Sequence, residues 1–211
     1  MAKSAKKTNR SLNNRFMGRT SQIKRETSET KIEVSVNLDG TCEHDICTPI
    51  PFLDHMLTQV SRHGFFDLRI QAEGDTEIDF HHTVEDIGIS LGKAFSQALG
   101  EKKGIRRFAD VKVPLNEALA SVVLDISGRS FFVFNADFPK AKIGAFDVEL
   151  VPEFFQAFAA NSGMTLHISV PYWGNLHHAV EAIFKSFARA LDKACSLDPR
   201  CEEIPSTKGK L

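Results

Sequence analysis

Two stretches 96 residues apart, His81-His82-Thr83-Val84-Glu85 and His177-His178-Ala179-Val180-Glu181, carry the same three donor side chains at the same spacing. Histidine and glutamate four residues apart on a helix lie on one face and can chelate one divalent ion. The neighbouring histidine points about 100° away, so each His-His dipeptide can serve two different ions. Adjacent histidines occur in ordinary caps and loops, and a single copy would be weak evidence. Two copies beside matching helices point to metal sites that share ligands.

The repetition extends beyond the donors. Residues 51–57 align with 149–155 at an offset of 98, Phe66–Ile70 align with Met164–Ile168, and a loop two residues shorter brings His81 onto His177. Apolar residues at Phe52, Leu53, Met56, Leu57 and Val60, matched by Val151, Phe154, Phe155 and Phe158, follow the helical period. The stripes Val84, Ile87, Leu91, Phe95, Leu99 and Val180, Ile183, Phe184, Phe187, Leu191 predict a second helix in each half, with those residues in the core. Strands are expected at 31–37, 65–72, 121–126, 131–135 and 166–170. The expected organisation is a basic tail over residues 1–20, half-domain repeats over 21–104 and 105–197, and a C-terminal tail over 198–211. The fold class is α/β, a duplicated half-domain with helices on one face of a mixed sheet in each half.

At 211 residues, 42% hydrophobic and 25% charged, the composition is that of a globular protein with a sizeable core. No apolar run is long enough to span a bilayer and no cleavable leader is recognisable. The four cysteines form no C-x-x-C pair, which favours reduced thiols. Residues 1–25 hold eight basic and no acidic side chains, leaving 18 basic against 27 acidic residues, a net of −9, for the rest. The basic segment reads as a solvated tail rather than a nucleic-acid arm. A cytoplasmic protein is expected, with an organellar address as the alternative for that segment.

If His55 is a ligand, its repeat mate is Glu153, and the donor set becomes His55, His81, His82, Glu85, Glu153, His177, His178 and Glu181. Shared between two ions, this gives about four protein ligands each and leaves room for substrate. Nitrogen and oxygen donors without thiolate suit manganese, iron, nickel, zinc or cobalt. His63 and His167 either line the site or are core histidines bonded to a carbonyl, and His44 is expected in an exposed loop. Thr83 followed by Asp86 fits a capping arrangement, which would start the helix after the histidine pair. One turn beyond Glu181 stands Lys185, where the first copy has Ile89. That cation suggests an anionic substrate held mainly by the second half, with Arg107, Arg129, Ser206 and Lys208 as further phosphate donors.

Taken together, Phe52-Leu53-Asp54-His55-Met56, His81 to Asp86, Leu124 to Arg129, His177 to Lys185 and Pro205-Ser206-Thr207-Lys208-Gly209 resemble the imidazoleglycerol-phosphate dehydratases. The resemblance runs from about Arg19 to the C-terminus. It implies a hydro-lyase of histidine biosynthesis that converts imidazole glycerol phosphate to imidazole acetol phosphate. It also implies a fold like domain 2 of ribosomal protein S5, two manganese ions per active site, and a homo-oligomer of 24 subunits with sites between subunits. No nucleic acid or membrane is expected as partner. By resemblance the eight donors are metal ligands, and Glu29, Gln59, His63, Arg107, Arg129, Lys185, Ser206, Thr207 and Lys208 contact substrate. Glu29 is the expected base, with His55, Glu85 and Glu181 beside it in catalysis. Departures are Glu153, where some members have histidine, Phe80, which leaves Asp79 as the only local outer carboxylate, and Asn116, where aspartate is common. A two-metal phosphohydrolase and a metal-storage protein are the alternatives. The first would show aspartates recurring beside both His pairs, and the second has no use for Lys185.

Overall fold

The protein is described by a computed structural model covering residues 18–211, so most of the expected basic tail lies outside the described residues. The first half runs β1 (Thr20–Glu26), β2 (Thr30–Asn37), β3 (His44–Cys47), α1 (Pro51–Gly64), β4 (Asp67–Gly74) and α2 (His81–Leu99). The second runs β5 (Phe108–Leu115), β6 (Ala118–Asp125), β7 (Phe131–Asn135), a hairpin of β8 (Lys142–Ile143) and β9 (Phe146–Asp147), α3 (Leu150–Ser162), β10 (Thr165–Tyr172) and α4 (Leu176–Cys195). The α/β class holds, with one four-stranded mixed sheet per half.

The two sheets have the same plan: β1-β2-β4-β3 and β5-β6-β10-β7. In each, two antiparallel pairings are followed by one parallel pairing made through a helical crossover. Register repeats too, since Val36 faces Leu68 and Leu124 faces Leu166. Strands β4 and β10 begin and end 98 residues apart, whereas β2 and β6 begin and end 88 apart. The hairpin β8–β9, which the first half lacks, accounts for the ten-residue difference.

Alternation explains the strands. In β2, Ile32, Val34 and Val36 are buried while the intervening side chains face outward. Helix α1 starts with Pro51 at its first position and buries Leu53, Met56, Leu57 and Val60. The helices pair crosswise: α1 packs on α4 and α3 on α2, while α2 covers β1 and β2 and α4 covers β5 and β6. A chain of ring contacts, Phe66–Phe95–Phe158–Phe187–Phe155, crosses both halves with centroids 4.9–5.6 Å apart. Such pairs add about 0.5–1.5 kcal/mol each beyond their burial, so the halves share one core.

Three expectations change. The expected strands omit β1, β3, β5, β8 and β9, and β1 offers Ile23 as its only aliphatic residue. It is nevertheless held by Lys24–Glu33 and Arg25–Asp86 ion pairs and by pairing with β2. His44 is exposed as expected but lies in β3, not in a loop. The C-terminal tail folds back in turns: Gly104 N–H donates to Glu203 O, and Arg107 Nη1 donates to Pro205 O at 2.8 Å.

Candidate metal centre

Crossed pairing of the helices brings together donors that belong to different repeats. His55 on α1 and His177 and Glu181 on α4 place their ligand atoms within 4.8 Å of one another, the one such group of three among the described residues. Glu181 Oε2 lies 3.2 Å from His177 Nε2 and 3.6 Å from His55 Nε2, and Glu181 Oε1 lies 2.7 Å from Lys185 Nζ. Burial pushes the Glu181 carboxyl up, but Lys185 and the two histidines outweigh it, and the group sits below its ordinary value. It is therefore an ionised carboxylate beside two imidazoles.

Phe52 turns an edge to His177 at 5.4 Å and packs on Phe146 of the inserted hairpin at 5.1 Å. The hairpin thus buttresses this group through Phe146. Along α1, His63 Nε2 meets Gln59 Oε1 at 3.1 Å, and Gln59 Nε2 lies 3.5 Å from His55 Nδ1. Burial, with the charges of Lys185 and Arg189, lowers the His63 pKa. His63 bonds a glutamine and not a backbone carbonyl, and it lines this face.

The symmetry-related place is formed by α2 and α3. His81 and Glu153 line a cleft of about 320 Å³ with Asp79, Phe80, Asp147, Glu149 and Leu150, and Glu85 Oε2 lies 3.8 Å from His81 Nε2. These three donors do not close into a group as tight as the first. Ile89 stands where Lys185 stands in the other pair and offers Glu85 no charge. The eight expected ligands therefore do not meet in one place within the chain, because the sheets and core hold the two helix pairs apart.

The second histidine of each dipeptide turns away, with ring planes 89° and 81° from the first. His82 Nδ1 meets Asp75 Oδ2 at 2.9 Å and Glu29 Oε2 at 3.8 Å, and the Asp75 bond raises its pKa. His178 Nδ1 meets Glu117 Oε1 at 3.0 Å. The Glu117 carboxyl is held below its ordinary value by its own backbone N–H and by His178. Neither Asp75 nor Glu117 was expected at the site. Glu117 would have been found by extending the repeat to the β-hairpins, where it falls on Glu29 at the 88-residue offset. Asp75 has no such signal, since its counterpart is Trp173.

The capping expectation is corrected. Asp79 Oδ1 accepts the His81 N–H at 2.7 Å, Asn175 Oδ1 accepts that of His177 at 2.8 Å, and buried Thr83 Oγ1 has no partner among the described residues. Helix α2 begins at His81, so histidine and glutamate do share its first turns. Asp79 accordingly serves the backbone and not a ring.

Among the expected phosphate donors, Arg107 is held by Asp125 at 2.7 and 3.1 Å and clamps the tail at Pro205. Arg129, Thr207 and Lys208 are exposed, and Ser206 Oγ accepts the Lys208 N–H at 3.2 Å. Glu29 is exposed in the β1–β2 turn.

A family model described as imidazoleglycerol-phosphate dehydratase matches residues 48–191. Proteins of that description from Pelobacter propionicus and Methylorubrum populi are 59% and 54% identical over 195 and 194 residues, covering 92% of this chain and all of theirs. The crystal structure of the Staphylococcus aureus imidazoleglycerol-phosphate dehydratase aligns with a TM-score of 0.77 at 41% identity, over 85% of this chain and 99% of that one. That from Pyrococcus furiosus, in complex with (S)-C348, aligns at 0.78 and 35% identity, over 90% and 100%. No described helix is long and apolar enough to cross a membrane.

Proposed function

The chain belongs to the imidazoleglycerol-phosphate dehydratase family, the dehydratases of histidine biosynthesis, and we propose that its donors are one subunit's share of two metal centres. The reaction removes water from imidazole glycerol phosphate to give imidazole acetol phosphate. The observation that carries the metal reading is the convergence of His55, His177 and Glu181 across the two repeats. The donor chemistry fits a divalent ion, because two imidazoles and a carboxylate kept ionised by Lys185 offer nitrogen and oxygen without thiolate. Manganese is the ion we assign. His81, Glu85 and Glu153 form the second share.

His82 and His178 bond Asp75 and Glu117 and stand outside the His55 group in their own chain, which supports their donation to the centres of neighbouring subunits in a homo-oligomer. One such histidine raises each group to four protein ligands and leaves positions for substrate. The half-domains 21–104 and 105–197 then each contribute one outward histidine and donors to both groups.

When bound, divalent ions supply Lewis acidity to the imidazole ring of the substrate. Glu29, exposed in its turn, takes the proton from the second carbon from the ring while hydroxide leaves the carbon beside the ring, and the enol so formed tautomerises to the ketone. A positioned base of this kind contributes about 10² to 10⁴-fold. Gln59 and His63 extend the His55 face of α1 toward the substrate. Lys185, Arg129, Ser206, Thr207 and Lys208 bind the phosphate, and Arg107 keeps the tail that carries three of them in place.

The test is incubation of manganese-loaded protein with imidazole glycerol phosphate and detection of the ketone product, with a chelated control. Ketone formation that survives complete metal removal would sink the metal reading.

A further inference from the structure

Both outward histidines bond a carboxylate through Nδ1, yet the two carboxylates come from unrelated positions. In the second half it is Glu117, in the β5–β6 turn, at 3.0 and 3.2 Å from the ring nitrogen. In the first half it is Asp75, immediately after β4, at 2.9 Å. The repeat mate of Glu117 is Glu29, which stays 3.8 Å from His82 Nδ1. The repeat mate of Asp75 is Trp173, which has no acceptor.

We propose that Glu117 and Asp75 are positioning residues that hold His178 and His82 with Nδ1 protonated and Nε2 free, and that Asp75, by taking over this task, releases Glu29 for the substrate. An ionised carboxylate only accepts, so the ring nitrogen that faces it must carry the proton, and Nε2 is left with its lone pair outward. The second half is built around the Glu117 contact. Asn175 N–H donates to Glu117 Oε1 at 2.9 Å while Asn175 Oδ1 caps α4, so one residue ties the carboxylate to the helix that carries His178. Gly174 leaves room for it, since a Cβ there would lie 2.7 Å from Glu117 Cγ. In the first half Asp75 is the more enclosed acid, 16% exposed at the side chain against 50% for Glu29. A carboxylate committed to a histidine cannot also serve as a free base, so the duplication yields one orienting and one working glutamate from the same ancestral turn position.

The inference rests on the reading of His82 and His178 as ligands, and the experiment separates the two. Ring tautomers are read in the metal-free full-length chain at alkaline pH by long-range proton–nitrogen correlation NMR on nitrogen-labelled histidine, and manganese affinity is measured by titration. Expected is the Nδ1–H tautomer for His82 and His178 in the wild type. Glu117→Ala moves His178 toward Nε2–H and weakens manganese binding by about 10- to 100-fold, and Asp75→Ala does the same to His82. Glu117→Gln, which keeps the volume and one acceptor, recovers part of both signals and serves if the alanine variant misfolds. Glu29→Gln leaves the tautomers and the affinity as in wild type. Wild-type tautomers and affinity in Glu117→Ala and Glu117→Gln would overturn the proposal, as would a tautomer change in Glu29→Gln. If His178→Ala binds manganese as tightly as wild type while the tautomers behave as expected, the ligand reading fails and the orienting role stands.

Discussion

The two helix pairs descend from one plan but solve it differently. At α2/α3 the backbones approach through Gly88 and Gly92, where a Cβ would come within 2.7 Å of Phe154 O and 2.6 Å of Phe158 O. At α1/α4 the equivalent positions are Phe184 and Ala188, and the junction carries Lys185 against Glu181. The Glu181 side chain is accordingly 14% exposed, whereas Glu85, facing Ile89, remains 47% exposed. A carboxylate enters a low-dielectric place only with a cation beside it, so a single lysine decides which donor group is assembled in advance.

The strongest way to break this comparison is to remove corresponding donors. His55→Ala should cut turnover at saturating manganese by more than about 100-fold, beyond the loss expected for an outer partner. Glu153→Ala, at the looser group, should cost less, and Glu153→His should retain activity. Steady-state kinetics decide, and equal losses for the two alanine variants would erase the distinction. Next comes packing: Gly88→Phe, which copies Phe184 into the close pair, should cost about 3 kcal/mol or prevent folding, read from urea unfolding. Lys185→Ile strands a part-buried carboxylate and should cost about 1–3 kcal/mol. The reciprocal Ile89→Lys should gain only about 0.3–0.5 kcal/mol, as an i,i+4 pair with Glu85.

Smaller effects sharpen the comparison of the repeats elsewhere. Helix α3 ends on Gly163 at φ 70°, but α1 ends on Phe65 at φ 57°. Phe65→Gly should therefore raise stability by about 1 kcal/mol, visible as a higher Tm. Arg19, the mate of Arg107, donates to Asp39 and holds that carboxyl below its ordinary value. The pair is partly in solvent, so Arg19→Leu should cost at most about 1 kcal/mol. The sign follows from the depressed pKa: the contribution is present at neutral pH and is lost as pH falls through the native value. Urea midpoints at neutral and acid pH should converge between wild type and variant.

Much of this was legible in advance. The offsets of 98 and 96 residues predicted the correspondence of α1 with α3, β4 with β10 and α2 with α4, and the donors lie on those helices as the spacing required. Strand β1 was hidden because its ladder needs no apolar stripe: ion pairs and backbone pairing secure an edge strand whose side chains are mostly polar. Asp75 and Glu117 were hidden for a different reason. They meet rings that lie 7 and 61 residues away in sequence, and only the second falls under a repeat offset.

What the chain alone determined is local and periodic. Four-residue spacing puts His81 with Glu85 and His177 with Glu181 on one helical face wherever the helices go, and duplication doubles the pattern. Which donors meet was decided by tertiary packing, because His55 joins the His177 group only through contacts across more than a hundred residues. Those contacts depend on shape and charge at the junctions, on Gly88 and Gly92 in one pair and on Ala188 and Lys185 in the other. Neither the crossed helix pairing nor the exchange of Glu29 for Asp75 at His82 follows from spacing, since both arise where surfaces from separate elements meet.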